Sequence, residues 1–210
     1  MLTCFLDNDI VIKLSAFDLF DEAIAVLNLD WTQLQVISTA QYTFRGKSYI
    51  AQYSESVCQK AIAITQKCQK VMVENSLEAE LLNGFAGIDI GEAALIVATR
   101  SQTDFLLLSG DKNCMTQLAA IPEQIYKRLC GRVICLEQII LKLIEVKGFV
   151  FVRDRVLPMV SCDKSLQICF GYSSSASEEN VIVGLNSYIN DIRQQAPNLL
   201  AEILHHSQKL

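Results

Sequence analysis

The residues in this chain best placed to do chemistry are carboxylates at the ends of short apolar runs. Asp7 closes the run Leu2–Leu6, and Asp9 stands two positions further on. Asp89 and Glu92 bracket the start of an apolar stretch that continues to about Gln102. Asp111 follows Phe105-Leu106-Leu107-Leu108-Ser109-Gly110. Two unit charges ~5 Å apart repel by about 3 kcal/mol at an effective dielectric near 20. Three acids brought together must therefore take up protons or bind a cation. Oxygen donors without His or Cys suit Mg²⁺ or Mn²⁺. Such an ion can activate water and stabilise an in-line displacement at phosphorus, which points to phosphodiester hydrolysis. Serine- or cysteine-triad chemistry has no support, because the chain's 2 histidines, His205 and His206, both stand in its tail.

The elements that must position these acids follow from periodicity. Leu2–Leu6 and Phe105–Leu108 are short continuous apolar runs, the pattern of strands buried on both faces. Leu34–Ile37 and Arg132–Leu136 read as two further strands. Helical spacing appears around Phe17–Leu27, and Ser38 is placed to cap a helix to about Lys47. It recurs over Ser54–Val71, Leu77–Asn83 and Gly91–Gln102, from Asp111 to Ala119, and over Pro122–Leu129 and Leu136–Ile144. Strands alternating with helices predict an α/β fold with a parallel sheet. Strand C-terminal ends then share one edge, where α/β proteins bind ligands. Residues 1–147 form that domain. Residues 148–210 read as a helical C-terminal extension, packed on the sheet domain or offering a partner surface. Within it Val181–Gln194 and Asn198–His206 are helical, Phe149–Val160 fits helix and strand equally, and Ser173–Ser177 is a loop.

Leu6-Asp7-Asn8-Asp9, Gly91-Glu92-Ala93-Ala94 and Leu107-Leu108-Ser109-Gly110-Asp111-Lys112 resemble the acidic motifs of the PIN-domain nucleases, in the family's order. The resemblance covers about Met1–Lys147. It implies a PIN-like parallel sheet flanked by helices and Mg²⁺- or Mn²⁺-dependent cleavage, usually of RNA. By motif, Asp7, Glu92 and Asp111 would be the catalytic, metal-binding acids, with Asp9 and Asp89 in support. The sequence departs from the family at Ser38–Arg45, which offers Thr39 and Gln41 but no carboxylate. The alternative is therefore a catalytically incomplete PIN-like scaffold that binds RNA or a protein partner. An antitoxin and a homodimer stay open as partners.

Each acid also has a structural role available to it. Asp89 and Glu92 are spaced as a capping box, and Asp7, Asp9 and Asp111 can each cap a helix. Lys112, Arg45, Lys47 and Arg100 are candidates to hold phosphate, with surface solvation as the alternative. Ser161-Cys162-Asp163-Lys164 repeats the pattern of Ser109-Gly110-Asp111-Lys112 and reads as coincidence. The 18 basic and 23 acidic residues give a net charge of -5, which argues against non-specific coating of nucleic acid. The 8 cysteines lack metal-site spacing and read as reduced core residues, with structural zinc as the lesser alternative. No apolar run reaches membrane-spanning length, and Asp7 and Asp9 interrupt any N-terminal leader, so the expected compartment is the cytoplasm.

Overall fold

The computed structural model describes residues 2–72, 75–171 and 176–203. His205, His206 and most of the serine-rich stretch lie outside the described residues. Five strands form one parallel sheet: β1 (Thr3–Leu6), β2 (Leu34–Ile37), β3 (Gln69–Val71), β4 (Phe105–Ser109) and β5 (Val133–Cys135), in the order β3-β2-β1-β4-β5. β1 lies in the middle, with Cys4 aligned to Leu34 on one side and to Leu106 on the other. Leu6 aligns with Leu108, so the chain leaves β1 and β4 at the same sheet edge. That register brings Asp7 beside Gly110-Asp111. The strands alternate with helices α1 (Asn8–Ala16), α2 (Phe20–Val26), α3 (Ala40–Thr43), α4 (Lys47–Tyr53), α5 (Glu55–Lys67), α6 (Leu77–Leu82), α7 (Ile90–Ala98), α8 (Lys112–Gln117), α9 (Glu123–Leu129) and α10 (Leu136–Lys147).

The central strands are mostly apolar, apart from Thr3 and Ser109 at their ends, because helices cover both faces of the sheet. Phe5, Leu6 and Leu108 are fully buried. Burying each such side chain contributes about 1.5–3 kcal/mol. The third strand is a departure from expectation. The apolar spacing of Ser54–Val71 runs on without interruption, yet α5 stops at Lys67 and Gln69–Val71 pairs with β2. This short edge strand carries two exposed polar residues and one buried Val71, too weak an alternation to mark it in sequence. Of the helix expected from Ser38 to about Lys47 only α3 forms, and a second helix, α4, begins after Gly46 and runs beyond the expected end.

Gly148 ends α10 at φ +89, a conformation that favours glycine, and the C-terminal extension begins there. It contains α11 (Phe149–Val156), α12 (Lys164–Phe170) and α13 (Glu178–Gln195). The ambiguous stretch Phe149–Val160 is thus helical, passing into a 3-10 turn over Leu157–Cys162. Val152, Phe170, Leu185 and Ile192 belong to the same continuous core as Phe5 and Leu108, so the extension packs on the sheet domain. The helix expected over Asn198–His206 does not form in its described part. Leu200 instead bridges Val133 in parallel, and Ala201 N donates to the Val133 carbonyl at 2.7 Å. The backbone hydrogen-bonding demand of β5 overrides local helix propensity there. Among the described residues, no helix is long and apolar enough to cross a membrane.

Ser54, between α4 and α5, has φ 76 and ψ 156, a region occupied almost solely by glycine. Its hydroxyl caps α5 through a long 3.5 Å bond from Val57 N. Relief of about 1–3 kcal/mol of strain should outweigh the lost cap and the entropy glycine adds to the unfolded chain, about 0.5–1 kcal/mol. Ser54→Gly should therefore raise Tm by about 2–4 °C, whereas Ser54→Ala should lower it. Thermal melts of the two variants check this, and a lower Tm for the glycine variant would refute it.

Candidate functional site: an acidic edge clamped by lysine

The site starts at the end of β1. Asp7 is buried and caps α1, its Oδ1 accepting from Ile10 N at 2.6 Å. Its Oδ2 reaches across to the neighbouring strand, accepting from Ser109 Oγ at 2.5 Å and Gly110 N at 3.2 Å. Burial, reinforced by the charge of Asp9, pushes the Asp7 carboxyl up to about 7 despite those donors. Ser109 also accepts from Asp111 N at 3.1 Å. The turn after β4 is therefore tied to Asp7 at two successive residues.

Asp111 caps α8, with Oδ1 accepting from Asn113 N at 2.7 Å and Cys114 N at 3.1 Å. Asp89 and Glu92 form a reciprocal capping box on α7. Glu92 N donates to Asp89 Oδ1 and Asp89 N donates to Glu92 Oε2, each at 2.8 Å. The structural roles available to these acids are thus all realised. They do not keep the acids apart. Burial raises the Glu92 carboxyl to about 8, and the charges of Asp89, Asp7 and Asp111 act in the same direction. Asp7, Glu92, Ser109 and Cys114 line one hollow of about 10 Å³, close to the space one water needs. Asp7 and Glu92 share that hollow, Asp111 lines a neighbouring cleft, and Asp89 stays exposed.

Asp9 turns the other way. Its Oδ2 pairs with Lys13 Nζ at 2.5 Å, one helical turn along α1. The Lys13 ammonium also pairs with Asp163 Oδ2 at 2.8 Å and donates to the Gly110 carbonyl at 3.2 Å. Burial opposes that positive charge, but Asp9 and Asp163 more than offset it, and the Lys13 pKa lies above its ordinary value. For Asp163, burial pulls the carboxyl up, yet Lys13 and Lys112 bring it down to about 2. Asp163 caps α12 through Leu166 N at 2.9 Å and meets Ser165 Oγ at 2.5 Å. Ser165 Oγ in turn lies 2.6 Å from Glu137 Oε1 and accepts from Lys112 Nζ at 2.9 Å. Lys112 pairs with the buried Glu137 at 2.7 Å.

This network changes three assignments. Lys112 lies beside Asp111, but its ammonium is committed to Glu137 and Ser165 and sits over the Tyr188 ring, 5.5 Å from the centroid. It lines the cleft beside Asp111 with its charge already paired. Arg100 is on the wrong edge. It follows α7, in the turn leading into the start of β4, and lies 3.8 Å from Glu78 Oε2. A helix that begins at the acidic edge necessarily ends at the other one. Arg45 does lie past the C-terminal end of β2, exposed, with its guanidinium 5.7 Å from the centroid of Tyr42. Asp163 is no coincidental echo of Asp111, since it shares Lys13 with Asp9. Lys13, Glu137 and Asp163 escaped sequence reasoning. Lys13 stands in a helix buried from Ile10 to Ser15, a position that demands an acid partner, and Asp9 four residues earlier supplies one.

The donors suit a hard divalent cation in type: oxygens from Asp7, Glu92 and Asp111, with burial raising the first two carboxyls. They are not a preformed cage. Among the described residues, no three His, Cys, Asp or Glu side chains stand close enough to enclose a metal ion, which also leaves the zinc alternative without a site. The segment after β2 brings Thr39 and Gln41 to the edge and no carboxylate. Beside Asp111 opens a cleft of about 580 Å³, walled by Asp9, Lys13, Tyr53 and Asn113 on the domain side and by Lys164 and Tyr188 from the extension. A hollow of about 690 Å³ between α10 and α13 is larger but contains none of the five candidate acids, whereas Asp9 and Asp111 line the cleft.

Asp7 and Glu92 have folded pKa values of about 7 and about 8, above the ~4 of an unfolded carboxylate. The folded protein thus holds protons the unfolded chain releases. The associated stability is complete below about pH 4 and is lost as pH rises through those folded values. In chelator, Glu92→Gln should gain Tm relative to the parent protein as pH rises, with the two converging in acid. Parallel pH profiles would refute this. No protein family, no curated protein and no solved structure matches the chain.

Proposed function

We propose that this chain is a Mg²⁺- or Mn²⁺-dependent phosphodiesterase of the PIN-domain type that cleaves RNA. The observation that supports it most is that Asp7 and Glu92, from distant stretches of chain, line one hollow, and that the charges of Asp7 and Asp111 both act on the Glu92 carboxyl. An ion held there would supply Lewis-acid activation of water and neutralise charge building up at phosphorus. The chain's own contribution is orientation. Ser109 and Gly110 fix the Asp7 carboxylate, and two backbone N–H groups fix Oδ1 of Asp111. Lys13 pairs with both Asp9 and Asp163 and so offsets part of their charge beside the cluster. The cleft beside Asp111 offers a polymer strand amide and phenol groups from Gln52, Asn113 and Tyr188. RNA as substrate comes from the resemblance of the acidic motifs.

A second reading is favoured by one observation: the acids form no closed cage, and the segment carrying Gln41 adds no carboxylate. The chain would then be a PIN-like scaffold that binds RNA or a protein partner through its C-terminal extension. An antitoxin or a second copy of the chain belongs with this reading.

Incubation with labelled single-stranded RNA, in Mn²⁺ or in chelator, separates the two. Asparagine caps a helix as well as aspartate, so Asp111→Asn should keep stability within about 1 kcal/mol of the parent protein while losing charge at the cluster. Metal-dependent cleavage that disappears in Asp111→Asn supports the nuclease. RNA retained uncut in Mn²⁺ by the parent protein overturns it in favour of the scaffold.

A further inference from the structure

We propose that Asp163, in the C-terminal extension, is a positioning residue for the acidic cluster, acting through Lys13 on the turn that carries Asp111. The inference rests on the nuclease reading for its consequence, and on the geometry of the turn for its mechanism.

Gly110 is the pivot of that turn. Its N–H donates to Asp7 Oδ2 and its carbonyl accepts from Lys13 Nζ, each at 3.2 Å. A Cβ at this position would fall 2.7 Å from Asp9 Oδ2, so the acid of the Asp9–Lys13 pair packs directly on the glycine. Gly110 is therefore gripped through the peptide groups on both of its sides, by the carboxylate that ends β1 and by an ammonium. The next residue is Asp111, whose N–H, in the same peptide group as the Gly110 carbonyl, is held by Ser109. Any rotation of that peptide group moves the backbone that carries Asp111, whose charge acts on Glu92.

The ammonium is in turn held by two acids of different standing. Asp9 lies on the same helix, and a third of its side chain is open to solvent. Asp163 comes from the other end of the chain and is nearly closed off, with 3% of its side chain exposed. A lysine held by Asp9 alone can follow Asp9 toward the cleft and leave the Gly110 carbonyl. Asp163 prevents this by pulling from the extension's side. Its own place is fixed by the α12 cap and by Ser165. The run from Asp9 through Lys13 and Asp163 to Ser165, Glu137 and Lys112 thus sets the extension against the turn as a brace. The site is completed by residues beyond the domain that bears the three acids.

Asp163→Asn keeps the shape and removes the charge. The test is amide hydrogen exchange in chelator, comparing Gly110 and Asp111 with Val133 to Cys135 in β5, together with Mn²⁺ affinity from water-proton relaxation. Asp163→Asn should speed exchange at Gly110 and Asp111 relative to β5 and weaken Mn²⁺ binding about 10- to 100-fold, the usual effect of losing a residue behind a metal ligand. In a Lys13→Met background the same substitution should have no further effect, because the link is gone. An unchanged exchange ratio overturns the proposal even if Asp163→Asn lowers overall stability, and so do additive effects in the double variant. Should the parent protein bind no Mn²⁺, the nuclease reading fails, while the exchange ratio still decides whether Asp163 positions the turn.

Discussion

The Asp7 carboxylate is the tie on which the rest of the acidic edge depends. It ends the middle strand, starts α1, and bonds the turn after the neighbouring strand through Ser109 and Gly110. Backbone pairing aligns β1 and β4, but only a side chain can carry that alignment past the strand ends into the loops. A carboxylate suits the task because its two oxygens accept several donors at once. Burial makes the arrangement costly for the ionised form, which is why the Asp7 carboxyl rests near neutrality.

Charge placement follows from that cost. The edge gathers acids from the end of β1, α7, α8 and the extension, and the buried Lys13 and half-buried Lys112 divide them. Lys13 and Lys112 serve Asp9, Asp163 and Glu137. Among the described residues Glu92 has no such cation, and burial together with the charges of Asp89, Asp7 and Asp111 raises its carboxyl.

Much of the fold could be read from residues 1–147. The buried runs ending at Asp7 and before Gly110 carry the signal of parallel strands, and their adjacency follows from the pairing of Leu6 with Leu108. The placing of Asp7 and Asp111 at one sheet edge was legible for the same reason, since the end of a strand fixes where the next residues lie. β3 was not, because three residues with two exposed polar side chains hold no period of their own. Nor were Arg100 and Lys112, for opposite reasons. Arg100 is displaced by the length of the helix preceding it. Lys112 is adjacent to Asp111 in sequence, but its ammonium lies where a long flexible stem finds the buried Glu137. Asp163 shows the limit most clearly: its partner Lys13 lies at the other end of the chain, and no local pattern joins them.

The segment at residues 198–201 has a temporal implication. By lying along β5, it closes the side of the sheet that would otherwise present bare peptide groups to solvent. Those residues leave the ribosome well after β5 itself. For the interval between, a nearly finished sheet is open to strangers, and nascent chains translated side by side must not zip together along that margin. Secure assembly of this protein is accordingly a matter of timing as much as of sequence, with the seal arriving after everything it protects.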